Sequence, residues 1–142
     1  MTVFFSKACE LGLQAVLYLS TKEKRIFNAE EVSTELKVPK EFVSKVMQTL
    51  TRCGIVGSKK GKKGGFFLAK EPSQIKLIDI IEAIDGLALF KSCLLGFPGC
   101  SVSTPCPVHD KWGKLRDEAF KMLSDETLEN LKGKTASKIA SL

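Results

Sequence analysis

The chain has no apolar run approaching the ~18 residues of a membrane span, no low-complexity tract and no internal repeat, which excludes a helical membrane protein, a disordered linker and a solenoid. Its first residues, Met1-Thr-Val-Phe-Phe-Ser-Lys, lack the basic start, apolar stretch and small-residue cleavage site of an export signal. The chain is therefore expected to be cytoplasmic, in a reducing compartment where its five cysteines are not a disulfide framework. There is a single histidine.

What is present is an ordinary globular composition, 44% hydrophobic and 27% charged over 142 residues, enough for one core with a small extension. The net charge of +6 is unevenly placed: residues 1–70 hold 13 Lys/Arg against 6 Asp/Glu, whereas residues 71–142 hold 9 against 10. A basic first half suits a polyanion-binding module, although many solvated surfaces are equally basic.

Residues 6–20 read as a buried helix, with Ala8, Leu11, Ala15 and Leu19 on one face and Leu13, Val16 and Leu17 widening it. Asn28 is a good N-cap for a short helix to about Leu36, with Glu31 placed to reach back to the free backbone donors. Pro39 suits the first turn of a third helix, in which Phe42, Val43, Val46, Met47 and Leu50 repeat until Gly54. Lys40, Glu41, Ser44, Lys45 and Gln48 lie on its other face and could reach base edges in a major groove. An ordinary amphipathic helix would look the same, so the context decides.

That context is a hairpin. Ile55-Val56-Gly57-Ser58 and Phe66-Phe67-Leu68-Ala69 read as short strands around a glycine-rich tip carrying Lys59, Lys60, Lys62 and Lys63. A basic hairpin after a helix-turn-helix is a wing, its lysines and Ser58 placed along phosphates. The expected fold is mainly α with a small β-hairpin wing: a winged helix-turn-helix over residues 1–72, then a cysteine-bearing loop and a long C-terminal dimerisation helix over 73–142.

In that second part Ile75, Leu77, Ile78, Ile80, Ile81 and Ile84 form a helix that needs cover on two faces and closes at Gly86. From Val108 to Met122 a second helix puts Trp112, Leu115, Ala119, Met122 and Leu123 on one stripe, suited to packing against its own copy. Between them, residues 93–109 gather three of the five cysteines, the only histidine, three prolines and two glycines. Three thiols and an imidazole in so irregular a segment suggest that a bound metal organises it, and soft thiolates suit zinc or an iron-sulfur cluster. Cys9 and Cys53, in or at the end of helices, read as small buried hydrophobes. Cys106 and His109 could in principle be a nucleophile and base, but nothing nearby reads as an orienting partner or an oxyanion site, so an enzyme is not expected.

The first helix Phe5-Ser-Lys-Ala-Cys-Glu-Leu-Gly-Leu, the wing Gly54-Ile-Val-Gly-Ser-Lys-Lys-Gly-Lys-Lys-Gly-Gly-Phe, the segment Ile80-Ile-Glu-Ala-Ile-Asp-Gly and the cysteine loop together resemble the IscR/NsrR/RirA/CymR family almost end to end. The resemblance implies a homodimeric winged-helix regulator, often a repressor, that binds double-stranded DNA at a two-fold operator. It further implies an iron-sulfur cluster on Cys93, Cys100 and Cys106, answering iron, redox or nitric oxide status.

For the fourth ligand, Cys106-Pro-Val-His109-Asp-Lys-Trp112 looks like the Cys-x-x-His-x-x-Trp stretch of the IscR branch, where the histidine completes a two-iron two-sulfur cluster. That favours His109, and a two-iron over a four-iron four-sulfur cluster. Glu10 instead falls where other branches supply a carboxylate from the partner subunit's first helix, and the gap from Cys93 to Cys100 is longer than usual for IscR. The wing departs too: Lys60 stands where the family usually has arginine, keeping the charge but losing the guanidinium fork. The alternatives left open are a structural zinc site and a metal-free thiol switch.

Overall fold

The computed structural model describes residues 4–22 and 25–142. Among these residues six helices and one hairpin follow in the order α1 (Lys7–Ser20), α2 (Ala29–Leu36), α3 (Lys40–Arg52), β1 (Val56–Lys59), β2 (Gly65–Leu68), α4 (Leu77–Ile84), α5 (His109–Asp125) and α6 (Leu128–Ala140). Short 3-10 turns at Pro72–Gln74 and Ala88–Phe90 flank α4. No helix among the described residues is long and apolar enough to cross a membrane.

Local signals explain where the first three helices begin. Ser6 Oγ accepts from the Cys9 backbone N–H at 3.0 Å, and Asn28 Oδ1 accepts from that of Glu31 at 2.8 Å. Each cap satisfies a donor the helix cannot, worth about 1 kcal/mol. Glu31 does not complete a reciprocal box: its carboxylate binds Arg25, whose guanidinium lies over the Phe27 ring. Pro39 sits one position before α3, as its N-cap.

The apolar stripes then meet. Leu11, Ala15, Val16 and Leu19 of α1, Val32 and Leu36 of α2, and Val43, Val46, Met47 and Leu50 of α3 form the main core with Ile55, Val56, Ile75 and Ile80. A second core gathers Cys9, Ile78, Ile81 and Leu123, with Phe5, Leu87 and Phe90 against it. Helix α4 is thus covered on two faces, as its all-round hydrophobicity requires.

The hairpin is antiparallel, pairing Val56 with Leu68 and Lys59 with Gly65, so both strands sit close to their expected places. An isolated bridge between Phe27 and Phe66 fastens β2 to the segment before α2. Helix α6, which the sequence pattern does not reveal, is capped by Thr127 and packs on α1. Its start is tied to the start of α4, with the Leu128 N–H donating to the Ile75 carbonyl at 3.0 Å and the Leu77 N–H to that of Glu126 at 3.1 Å. Leu128 is fully buried in the main core.

Cys9 is buried as expected, but Cys53 is exposed. It follows the last residue of α3 and precedes Gly54, whose φ of +77° turns the chain away before the thiol can be covered.

Candidate nucleic-acid interface and thiolate centre

Burying Val43, Val46, Met47 and Leu50 forces the other face of α3 outward. Lys40, Glu41, Lys45 and Gln48 are exposed and Ser44 is half-buried, so the structure presents this set along one helix. The wing adds Ser58 and Lys59 from β1 and Lys60, Lys62 and Lys63 from the tip, all exposed. The tip is tight because Gly61 and Gly65 take φ of +108° and +152°. Among the described residues, none of these lysines has an acidic partner within 4.0 Å. Their charge is therefore free for an anionic surface.

The thiol site lies between α4 and α5. Gly86, with φ of +76°, ends α4, and the turn Ala88–Phe90 carries the chain to Cys93. Gly96 and Gly99, at φ of +79° and +70°, bend the loop back to Cys100. A hydroxyl cluster holds the next bend: Thr104 Oγ1 donates to the Gly99 carbonyl at 3.1 Å, and the Thr104 N–H to Ser101 Oγ at 3.3 Å. Cys106 stands at the mouth of α5, its carbonyl accepting from the His109 N–H at 3.1 Å.

These bends bring the three sulfurs within 4.8 Å of one another, all half-buried. The thiols of Cys93 and Cys106 are 3.5 Å apart, and His109 Nδ1 is 3.4 Å from Cys100 Sγ. His109 lines the same cavity of about 50 Å³. Glu10 does not join this group within the protomer; it faces Lys7, 3.9 Å away.

The Cys93 and Cys106 thiols are unequal. Desolvation raises Cys93, but the Phe97 backbone N–H, the Cys106 thiol, the Leu95 N–H and the Cys100 thiol outweigh it and bring Cys93 down to about 7. Cys106 moves up, through desolvation first and then its two sulfur neighbours, with only the Val108 N–H opposing. A thiolate at neutral pH is the form that binds metal and reacts with oxidants.

Three further residues complete the cavity wall, a role that the sequence pattern does not show. Trp112 Nε1 and Arg116 Nη1 both donate to the Ser92 carbonyl, at 2.9 and 3.0 Å, and Lys91 lines the cavity beside them. The available signal is helical spacing, since His109, Trp112 and Arg116 recur every three or four residues on one face of α5. The expected stripe on α5 splits. Trp112 and the buried Leu123 face their own chain, while Leu115 and Met122, seven residues apart, are more than half exposed.

Comparison with known proteins gives the family and the fold. Residues 5–134 match the Rrf2 family, described as an iron-dependent transcriptional regulator. A helix-turn-helix-type regulator of Aquifex aeolicus (strain VF5), so named by inference, is 37% identical over 131 residues, 91% of each chain. Among solved structures, CymR (YrzC), the global cysteine regulator of B. subtilis, superposes with a TM-score of 0.78 at 22% identity, covering 93% of this chain and 98% of that one. IscR of T. potens gives 0.71 at 22% identity, covering 100% and 92%. These structures share the winged-helix fold, and the chain belongs to the Rrf2 family of DNA-binding transcriptional regulators.

Proposed function

We propose that this regulator is a homodimeric iron-sulfur repressor of the cytosol, whose grip on a two-fold operator depends on the state of the three-cysteine loop. The observation that carries the reading is the convergence of Cys93, Cys100 and Cys106 within 4.8 Å, with an imidazole 3.4 Å from one sulfur. The donor set fits a soft metal centre, and Cys93, Cys100, Cys106 and His109 would hold a two-iron two-sulfur cluster, with Glu10 of the partner subunit the alternative fourth ligand. Such a cluster supplies one-electron redox chemistry and reactivity toward oxidants and nitric oxide.

The protein's own part is transmission. The loop is pinned to α5 through Ser92, and α5 meets α4 through Leu123, Ile78 and Ile81. Helix α4 in turn packs on α1 and α3, so a shift of the loop is felt under the DNA-reading helix. A coupling of roughly 1–3 kcal/mol changes operator affinity about 5- to 150-fold, within reach of one repacked loop. The exposed Leu115 and Met122 support a dimer through α5, which would set the separation of two recognition helices.

The same geometry favours a second reading. Sulfurs this close also suit one tetrahedral zinc ion, whose Zn–S bonds of about 2.3 Å place sulfurs about 3.8 Å apart. Anaerobic purification with iron, sulfide and zinc analysis separates the two. A brown protein with iron and sulfide in near-equal amounts, lost on changing Cys93, Cys100 or Cys106 to Ala, supports the cluster. A colourless protein with one zinc per chain replaces it with a structural site, and a metal-free protein forming a reversible disulfide replaces both with a thiol switch.

A further inference from the structure

Arg116 is held in an unusual way. One guanidinium nitrogen donates to the Ser92 carbonyl, the peptide oxygen immediately before Cys93, and Trp112 donates to the same oxygen. Its Nε is buried and has no acceptor among the described residues. A buried N–H without an acceptor is costly, so native proteins supply one, from water, an ion or a ligand. Arg116 lines the cavity formed by the three cysteines and His109, Lys91 adds a second cation, and among the described residues no carboxylate lines that cavity.

Charge gives the missing partner its chemistry. Three thiolates and a neutral imidazole on one divalent ion leave a net negative charge, and a sulfide-containing cluster on the same residues also presents anionic sulfur. Either occupant would meet the guanidinium and the lysine. Resting on the thiolate-site reading above, we propose that Arg116 is the positioning and charge-compensating residue of this centre. It fixes Cys93 through the Ser92 carbonyl and gives its spare donor to the anionic sulfur of the occupied site. Removing it weakens the hold on the metal without dismantling the fold, as loss of outer hydrogen-bond partners does in metal sites, by about 10- to 100-fold.

Cobalt(II) is the probe, because its thiolate charge-transfer absorption reports binding whether the resident group is zinc or a cluster. The metal-free full-length chain is titrated as wild type, Arg116→Gln and Arg116→Lys, and the thermal midpoint of each metal-free form is recorded. Expected is an affinity about 10- to 100-fold weaker for Arg116→Gln at an unchanged midpoint, with Arg116→Lys recovering part of the loss. Affinity within about twofold of wild type for Arg116→Gln overturns the proposal. So does an equal loss in both variants, or a loss that merely follows a fall in the midpoint. If the wild type itself shows no thiolate-to-cobalt absorption, the thiolate site is overturned and the role of Arg116 falls with it, an outcome distinct from the others because it appears before any substitution is made.

Discussion

Phe27 and Phe66 exchange both backbone hydrogen bonds, N–H to oxygen at 2.8 and 2.7 Å, and so join the wing to the segment that leads into α2. Strand β2 is held along both edges, by β1 on one side and by Phe27 on the other.

Gly65 makes that approach possible. A Cβ at this position would run into the Phe27 carbonyl, and the backbone is at φ of +152°. Gly65→Ala is expected to cost about 1–3 kcal/mol in urea unfolding and to loosen the wing. A variant as stable as wild type would show that the wing is fixed by something other than the Phe27 bridge.

The wing lysines and the α3 side chains are expected to fail differently. Changing Lys60, Lys62 and Lys63 together to Ala should weaken binding to all duplexes alike and flatten the plot of log K against log salt by about 0.9 for each phosphate no longer neutralised. Changing Gln48 or Lys45 to Ala should instead lower discrimination among sequences, by about 1–3 kcal/mol where a base edge goes unread. Fluorescence anisotropy across a salt series separates them, and an unchanged salt slope in the triple variant would remove the wing from the DNA.

The parts of this architecture legible in the sequence are those with a local cause. Asn28 and Pro39 mark helix starts by their own chemistry, and the lysine-glycine tip announces a hairpin whatever packs around it. Helix α6 has no comparable signal: Leu128, Leu131 and Ile139 are thinly spaced among Lys, Ser, Thr and Gly133, and it is the surfaces of α1 and the Pro72–Gln74 turn that hold it. Cys53 escapes for a related reason, since periodicity cannot tell the last buried residue of a helix from the first exposed one after it. The thiol loop is legible as a composition and through its family likeness. The inequality of its sulfurs is not, because it depends on which backbone N–H groups the glycine bends aim at Cys93.

That inequality can be read by alkylation of the metal-free protein. With Cys93 at about 7, its thiolate fraction grows as pH rises through neutrality, so iodoacetamide labelling of the Cys93 peptide should accelerate across that window. Cys106, shifted upward, should label more slowly at neutral pH. Cys106→Ala removes one of the groups that favour the Cys93 thiolate and should move the Cys93 profile to higher pH. Mass spectrometry of the labelled peptides checks the order, and equal rates for Cys93 and Cys106 at neutral pH would refute it.

Cys9 gives the opposite pH dependence, in stability rather than reactivity. Burial first, then the Asp85 carboxylate through its charge and a hydrogen bond, then Glu10, push its thiol from the ordinary value of 9.0 up to about 12. Between those values the folded chain keeps a proton that the unfolded chain has lost, so the unfolded state binds fewer protons and stability falls as pH rises. The contribution is complete below pH 9 and is lost progressively toward pH 12. Urea unfolding of wild type and Cys9→Ala at pH 8, 9 and 10 isolates it from the titration of lysines common to both. The wild type should lose stability more steeply than the variant above pH 9, while the variant starts lower at pH 8 because it leaves a gap beside Ile78, Ile81 and Leu123. Parallel curves would mean that the Cys9 thiol ionises as readily in the folded protein as in the unfolded chain, and that the contact with Asp85 does not protect its proton.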